Sequence, residues 1–509
     1  MTRTYAPPAA LRSWQNTAVV AAALLGGAVV VPVEYATTHS VAETTKAIVA
    51  VGIAAAVGLL ASSLPGLTVR GFAFGGFFVG GGILSWSYSD KPVVVWSLLI
   101  LEGLVFAFWS RPWLRHLRPS ALLGTSWLGV SYWLLGIVGA VLVLHAGVAA
   151  QRVMYAGVFG LAVLAVVASQ RAGKDLTIGV AAAFLLAIAV LLVSGAGNLF
   201  DARHVVVAGP WGESMQQRFW GGRWLLYHPN SLAGIAVMAA IRIGPDRRCA
   251  AWQRAAATVI AGYIVYITNS RTGFVFLCAA AAVHAALLWW RRRQPVSELP
   301  EYAGRRALVA AAVPFVVLAL MLVVSGGQGF LFQQRYGSGG MTSGRMDTWI
   351  QVGKDWSHAS VAEKIFGDAK TSRAVVIRQS SGTNVQLTTD NAAVGAFRRG
   401  GVLGAVAFLV GLWLLLRRAL RGITLRGAAG RGAALRPSPP GNDPPAPTVA
   451  PAWFIVAALA SLPTIATTDW LLGTTGGTLW ILLLAGESLI AFHSDAPLRT
   501  ASAETPDHP

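Results

Sequence analysis

Long apolar runs separated by short polar turns dominate the chain. They centre near Leu24, Ala54, Gly80, Leu101, Tyr132, Leu161, Ala187, Ala236, Gly262, Ala280, Val317, Phe408, Ala457 and Leu483. A bilayer core requires roughly 20 apolar residues per helix, because each segment must satisfy its own backbone N–H and C=O groups. The pattern therefore predicts an all-α polytopic membrane protein with about 14 transmembrane helices. The runs at 125–145 and 93–109 are the clearest, and the run at 231–243 is the shortest.

One polar stretch breaks the rhythm. Residues 325–391 are too many for a turn, so helices on either side would leave the stretch wholly on one face of the bilayer. The expected organisation has helices one to eleven in 1–324 and a large extracytoplasmic loop in 325–391. Helix twelve follows in 392–416, and helices thirteen and fourteen in 451–493. Residues 417–450 are rich in Gly, Pro and Arg and are expected to be a disordered cytoplasmic linker. Residues 494–509 are expected to be a disordered cytoplasmic tail. Within the large loop, Met346, Trp349, Ile350, Val352 and Trp356 fall on one helical stripe opposite Asp347, Gln351, Lys354 and Asp355. This predicts an amphipathic helix that lies along the membrane or caps a cavity, or else simply packs in an outer subdomain.

Composition supports the membrane assignment. Of 509 residues, 55% are hydrophobic and 12% charged, whereas soluble chains carry about 25% charged residues. The net charge of +19 raises the question of nucleic acid. The placement of the charge answers it. Arg111, Arg115 and Arg118, then Arg242, Arg247, Arg248 and Arg254, then Arg291–Arg293 with Arg305 and Arg306, and finally Arg417–Arg436 fall in segments on one side. That bias orients a membrane protein with its termini in the cytoplasm and its basic loops against anionic lipid of the inner membrane. No nucleic-acid partner is expected. Cys249 and Cys278 form neither a disulfide framework nor a metal pattern, and neither a metal nor a cofactor is implied.

Three polar stretches share the opposite, outer face. The first is the loop 195–230, ending QQRFWGGRWLLYHPNSLAG (216–234). The second is the turn TNSRTG (268–273). The third is the large loop, with SGRMDTW (343–349) and TTDNAAVGAFRRGG (388–401). Arg271 lies in a turn of a few residues, so its guanidinium stays near the interface. It either snorkels to headgroups or grips a phosphate bidentately. Arg218 and Arg223 precede His228-Pro229-Asn230, where Pro229 can open a helix and Asn230 or Ser231 can cap it. His228 is ambiguous between a surface histidine and a base. Asp390 is either an N-cap or a reactive carboxylate, and Arg398 and Arg399 are either interface anchors or phosphate contacts.

In order and on a common side, R-x-x-G before HPNSLAG, NSRTG opening a span, SGRMDTW with KIFG (364–367), and DNAAVGAFRRGGVLG (390–404) resemble the O-antigen ligase and polymerase superfamily of bacterial envelope glycan enzymes. The resemblance covers roughly 218–416. It implies transfer of a glycan from a polyprenyl pyrophosphate carrier to an acceptor hydroxyl at the outer leaflet, without metal or nucleotide. The implied partners are the lipid-linked donor, a glycan or lipid acceptor, and membrane lipids. By the same resemblance Arg271 and Arg218 hold the pyrophosphate, with Arg223 as the alternative to Arg218. Arg345 organises the loop or the donor, and a loop residue is the base. The expected catalytic residues are Asp390, His228 and Arg271. The expected substrate-binding residues are Arg218, Arg223, Asn230, Ser270, Arg345, Trp349, Lys354, Asn391 and Arg398. Ligases carry His-Asn where this chain carries Asp390-Asn391, a form more similar to the polymerase branch. His228 and His358 are the alternatives for the base.

Two other classes compete. A flippase or transporter of lipid-linked oligosaccharide can also have about 14 spans, but favours internal repeats and polar residues at mid-membrane depth. A transferase using a polyprenyl monophosphate sugar tends to place acids in the first outer loop, where this chain has only the separated Glu34 and Glu43.

Overall fold

The computed structural model describes residues 36, 41–88, 92–114, 124–170, 176–195, 204–209, 212–222, 225–293, 345–368, 374–378, 384–433, 451–470 and 474–494. In chain order the elements are α1 (Val41–Ser63), α2 (Val69–Ser87), α3 (Pro92–Leu114), α4 (Thr125–Gly129), a π-helical turn (Val130–Leu134), α5 (Leu135–Leu142), α6 (Ala146–Gln170), α7 (Thr177–Ser194), β1 (His204–Gly209), β2 (Gly212–Gln217), α8 (Pro229–Ile243), α9 (Ala251–Ile267) and α10 (Arg271–Arg293). Then come α11 (Arg345–His358), α12 (Val361–Phe366), β3 (Ala374–Arg378), β4 (Asn384–Thr388), α13 (Ala392–Ala433), α14 (Ala452–Ala460), a 3-10 turn (Leu462–Ala466) and α15 (Thr474–Ser494).

Among the described residues, five helices are long and apolar enough to cross a membrane: Thr125–Leu142, Ala146–Val167, Thr177–Ser194, Arg271–Trp289 and Ala392–Arg421. The expected spans near Leu24 and Val317 lie outside the described residues. The other expected centres each fall within a helix. Side chains such as Val93, Leu101 and Phe108 on α3 and Val406, Leu409 and Trp413 on α13 are exposed. A run of exposed large apolar groups along a helix marks a lipid-facing surface rather than a water-facing one.

Two features depart from an all-helical chain. The loop before α8 holds an antiparallel hairpin, β1–β2, in register from His204 opposite Gln217 to Gly209 opposite Gly212. The large polar stretch holds a second hairpin, β3–β4, from Ala374 opposite Thr388 to Arg378 opposite Asn384. The alternation HVVVAG and AVVIR is a strand period inside short polar segments, too brief to stand out beside long helical runs. A further difference concerns α13, which runs to Ala433, past the boundary expected at 416.

The chain divides into two compact units: Met1–Leu99 with Leu176–Leu277 and Val316–Ser343, and Ile100–Asp175 with Cys278–Phe315 and Gly344–Pro509. In the first unit α7 is the central helix. It carries no charge (TIGVAAAFLLAIAVLLVS) and most of its residues are buried, as a helix apolar on every face requires. It packs on α1, α2 and α8. Small residues set the approach to α2. A Cβ on Gly71 would overlap the Leu176 carbonyl oxygen, and one on Gly75 would come within 2.8 Å of the Val180 backbone. Close approach of this kind is how helices associate in a solvent that gives no hydrophobic drive.

At one end of α8 in this unit, Arg242 is fully buried. It donates to the Thr177 hydroxyl and to Asp246 (2.7 Å), which also pairs with Arg248 (2.7 Å). Burial disfavours the Asp246 charge, but hydrogen bonds from Arg248 and the charge of Arg242 outweigh it and hold the carboxyl far below its usual range. A depressed carboxyl stabilises the fold above its unfolded value, about 4, and that contribution is lost only as pH falls into strong acid. The neighbouring Cys249 thiol is buried. That burial, with the Asp246 charge, pushes it up to about 11.

In the second unit α13 is the hub and packs on α4, the π-helical turn, α5, α12 and α14. Its helix is interrupted at Gly401 (φ 62°, ψ −155°), as the two consecutive glycines predict. A Cβ on Gly400 would strike the Ser131 carbonyl oxygen, and one on Gly367 the Arg399 carbonyl oxygen. At its base, Glu487 of α15 is fully buried. It pairs with Arg418 at 2.6 Å and accepts from the Thr125 backbone N–H at 2.7 Å, so it caps the start of α4. The Trp133 ring stacks on Tyr155 (4.7 Å) and Phe159 (5.5 Å).

Two measurements test this packing. Gly75→Ala is expected to destabilise the detergent-solubilised protein by about 1–3 kcal/mol, because its methyl would meet backbone. Gly76→Ala, where nothing lies within 4 Å, is expected to stay within about 0.5 kcal/mol of wild type. Equal melting shifts for the two would contradict the α2–α7 contact. In a Cys278→Ala background, maleimide labelling of Cys249 is expected to be slow at pH 7 and to rise about tenfold per pH unit. An ordinary thiol levels off near 8.5, and a plateau there would contradict the buried, anion-flanked site.

Candidate functional site

In the first unit, two separate motifs meet on one asparagine. The α9 helix ends at Thr268, whose hydroxyl bonds back to the Ile264 carbonyl at 2.6 Å. Asn269 then takes a left-handed conformation (φ 46°), which asparagine tolerates better than most residues. That turn sets Ser270 as the N-cap of α10, where its hydroxyl accepts from the Gly273 N–H at 3.0 Å. The same hydroxyl donates to Asn230 Oδ1 at 2.9 Å. Arg218 donates from Nη2 to that same Oδ1 at 2.7 Å and from Nε to the Thr268 carbonyl at 3.0 Å. Arg218, Asn230 and Ser270 are thus one hydrogen-bonded cluster, and Arg218 is only 8% exposed.

Arg271 is the first residue of α10 and is half-buried. It therefore stands where the unpaired N–H groups and the positive end of a helix favour an anion. Gly273 keeps this turn close to α8, since a Cβ there would meet the Ala233 methyl at 2.5 Å.

His228 caps α8 in place of the expected Asn230 or Ser231. Its Nδ1 accepts from the Asn230 N–H at 3.3 Å. Neutral imidazole that accepts at Nδ1 carries its proton on Nε2. The ring lies against Trp86 (4.9 Å) and Trp220 (5.3 Å). These are the contacts of a structural histidine. Arg223 lies outside the described residues.

In the second unit the polar cluster gathers where α11, α12 and α13 meet. Trp349 donates from its indole N–H to the Thr389 carbonyl at 2.9 Å. Asn391 is the N-cap of α13, and its Oδ1 accepts from the Val394 N–H at 3.0 Å. Asp390 sits between these two anchors at φ 36°, a left-handed conformation that aspartate, like asparagine, adopts more readily than most residues. It is half-buried. The cap role open to Asp390 in the sequence thus belongs to Asn391.

Arg398 is buried and donates from Nε to Asp368 at 2.8 Å, while the Asp368 N–H donates to the Arg398 carbonyl at 2.8 Å. Arg152, from the second turn of α6 and 2% exposed, reaches the same residue, with its guanidinium 3.4 Å from the carboxylate. Its signal in the sequence is a lone charge within an apolar helix. Asp368, directly after KIFG, carries no such signal.

The α11 helix does not present its apolar stripe as one face. Thr348 and Val352 are buried and Trp349 and Trp356 are half-buried, while Met346 and Ile350 are exposed with Lys354. Arg345 opens α11, and its side chain lies outside the described residues. Between α11, α12 and the start of α13 lies a cavity of about 510 Å³, lined by Lys354, Asp355, Trp356, His358, Phe397 and Arg398 among others.

A family model described as O-antigen ligase matches residues 256–356. No curated protein matches the chain. The matched region runs from within α9, through the Ser270–Arg271 turn and α10, to nearly the end of α11. The chain is therefore similar to the O-antigen ligase and polymerase superfamily, as its motifs imply. The match supports a membrane protein that transfers glycans in the general manner of that superfamily.

The asparagine cluster is testable by stability alone. Asn230→Ala leaves a buried guanidinium and a buried hydroxyl without their shared acceptor and is expected to cost about 2 kcal/mol in unfolding experiments. Asn230→Asp keeps the acceptor oxygen and is expected to recover most of that loss. Equal destabilisation by both would show that Oδ1 does not organise the cluster.

Proposed function

Taking the O-antigen ligase and polymerase resemblance as the premise, we propose that this chain transfers a glycan from a polyprenyl pyrophosphate carrier to an acceptor hydroxyl at the outer face of the cytoplasmic membrane. The reading carries about 14 transmembrane helices, with cytoplasmic termini and residues 325–391 as a large extracytoplasmic loop. The observation that carries it is the family match over 256–356, which includes the Ser270–Arg271 turn at the head of α10.

Pyrophosphate is already a good leaving group, so the protein has to position the donor and neutralise developing charge. Arg271, at the start of α10, has the charge, the bidentate fork and the helix end suited to a pyrophosphate. Arg218 serves by fixing Asn230 and Ser270, which hold the turn that carries Arg271. The acceptor oxygen attacks the anomeric carbon, and the bond from that carbon to the pyrophosphate oxygen breaks with its electron pair on the leaving group. The hydroxyl proton passes to the Asp390 carboxylate. Arg271 supplies the charge that a metal ion would otherwise supply, so the reaction is expected to proceed in a chelator.

Arg271→Ala is expected to lower transfer from a polyprenyl pyrophosphate glycan by about 10²–10³, the scale for removing a donor to a developing anion. Asp390→Asn keeps a side chain that tolerates the left-handed backbone and is expected to lower it by about 10²–10⁴. Wild-type transfer by both folded variants would sink the assignment of roles, and loss of activity on adding EDTA would sink the metal-free mechanism. Growth of the lipid-linked glycan marks a polymerase, whereas transfer to a different acceptor marks a ligase.

A further inference from the structure

We infer that the cavity between α11, α12 and the start of α13 is a subsite for a neutral saccharide, the acceptor's sugar rings, and not for the pyrophosphate. The inference rests on the glycan-transfer reading for the identity of the sugar's source and on the cavity itself for the chemistry.

Size comes first. A space of about 510 Å³ lies within the roughly 300–1,000 Å³ of small-molecule sites. Charge decides between the two parts of the substrates. The lining holds three carboxylates, Asp355, Glu363 and Asp368, against two permanent cations, Lys354 and Arg398. Asp368 and Arg398 are committed to each other at 2.8 Å, with Arg152 also on Asp368, which leaves Asp355 and Glu363 against Lys354. A lining with surplus carboxylate repels a pyrophosphate, whose charge would need an excess of cations. The Asp355 and Glu363 carboxylates are strong acceptors for hydroxyl hydrogens.

Apolar chemistry completes the match. Trp356 and Phe397 line the cavity with ring centroids 5.4 Å apart, and ring surfaces suit the C–H faces of a sugar. The walls are also held in place. Asp355 Oδ1 accepts from Gln351 at 2.7 Å, the Trp356 indole donates to the Lys364 carbonyl at 3.3 Å, and Glu363 closes a capping box with Ser360. Side chains fixed in advance lose little freedom when a ligand enters.

The test uses the full chain in detergent. Saturation-transfer NMR with maltose, cellobiose and lactose, each at millimolar concentration, is expected to show binding of at least one disaccharide. Inorganic pyrophosphate is expected not to displace it. Ala359→Trp fills the cavity and is expected to abolish the signal. Asp355→Asn, nearly isosteric, is expected to weaken it several-fold and guards against misfolding of the larger substitution. In transfer assays Ala359→Trp is expected to raise the acceptor KM about tenfold, equivalent to about 1.4 kcal/mol, with the donor KM within twofold of wild type.

Failure of all three sugars to bind overturns the inference, as does a sugar signal unchanged by both variants. Displacement by pyrophosphate, or a change confined to the donor KM, also overturns it. If wild type transfers no glycan yet binds a sugar in a way that Ala359→Trp abolishes, the functional reading falls and the cavity assignment stands. If transfer proceeds and both variants leave sugar binding and acceptor KM unchanged, the cavity assignment falls alone.

Discussion

A guanidinium taken out of water brings five N–H donors and a permanent charge, and each must find an acceptor. This requirement organises each polar cluster described above. Arg218 is met by Asn230 and a helix-end carbonyl, Arg242 by Thr177 and Asp246, and Arg152 and Arg398 by Asp368. In each case the acceptor comes from another segment of chain, so the arginine ties that segment down. Removing an acceptor leaves an uncompensated buried cation, which is far costlier than losing an ordinary surface contact. The turns between apolar helices are thereby held to fixed geometry in a protein whose helices have little hydrophobic drive to choose one another.

Glycine supplies the complementary constraint. Donors and acceptors meet only if backbones come close, and at Gly71, Gly75, Gly367 and Gly400 a methyl group would already collide with a neighbouring backbone. In the second unit this matters for the site. Gly400 and Gly401 break α13 into a short first segment and a long span. The short segment carries Arg398 to Asp368 and begins at the Asn391 cap beside Asp390. The glycines of the KIFG and FRRGG motifs are thus packing requirements where the chain before Asp368 meets the break in α13.

The helices were legible in the sequence because their signal is long and one-sided: few structures besides a buried or spanning helix accommodate an apolar run of bilayer length. The hairpins were not, since five or six alternating residues in a polar loop resemble many irregular segments. The polar cluster was legible where it lay within motifs, as with Arg218, Asn230 and Ser270. A pairing was hidden where it depended on a fold contact. Nothing local distinguishes Asp368 from any loop aspartate until Arg152, more than two hundred positions earlier, is placed against it. His228 shows the converse. Its place before Pro229-Asn230 made it a candidate base, yet the same place makes it the cap of α8, with its acceptor nitrogen already engaged.

Each cluster, taken by itself, suits one part of the proposed chemistry. In the first unit a helix N-terminus with Arg271 at its head concentrates positive potential and suits the anionic leaving group. In the second unit Asp390 is held at positive φ between the Trp349–Thr389 bond and the Asn391 cap. An indole donor on one side and a helix cap on the other hold this turn in place. That turn fixes the backbone from which the Asp390 carboxylate is presented. The two flanking hydrogen bonds hold the backbone on either side of Asp390 and so fix where its carboxylate starts from.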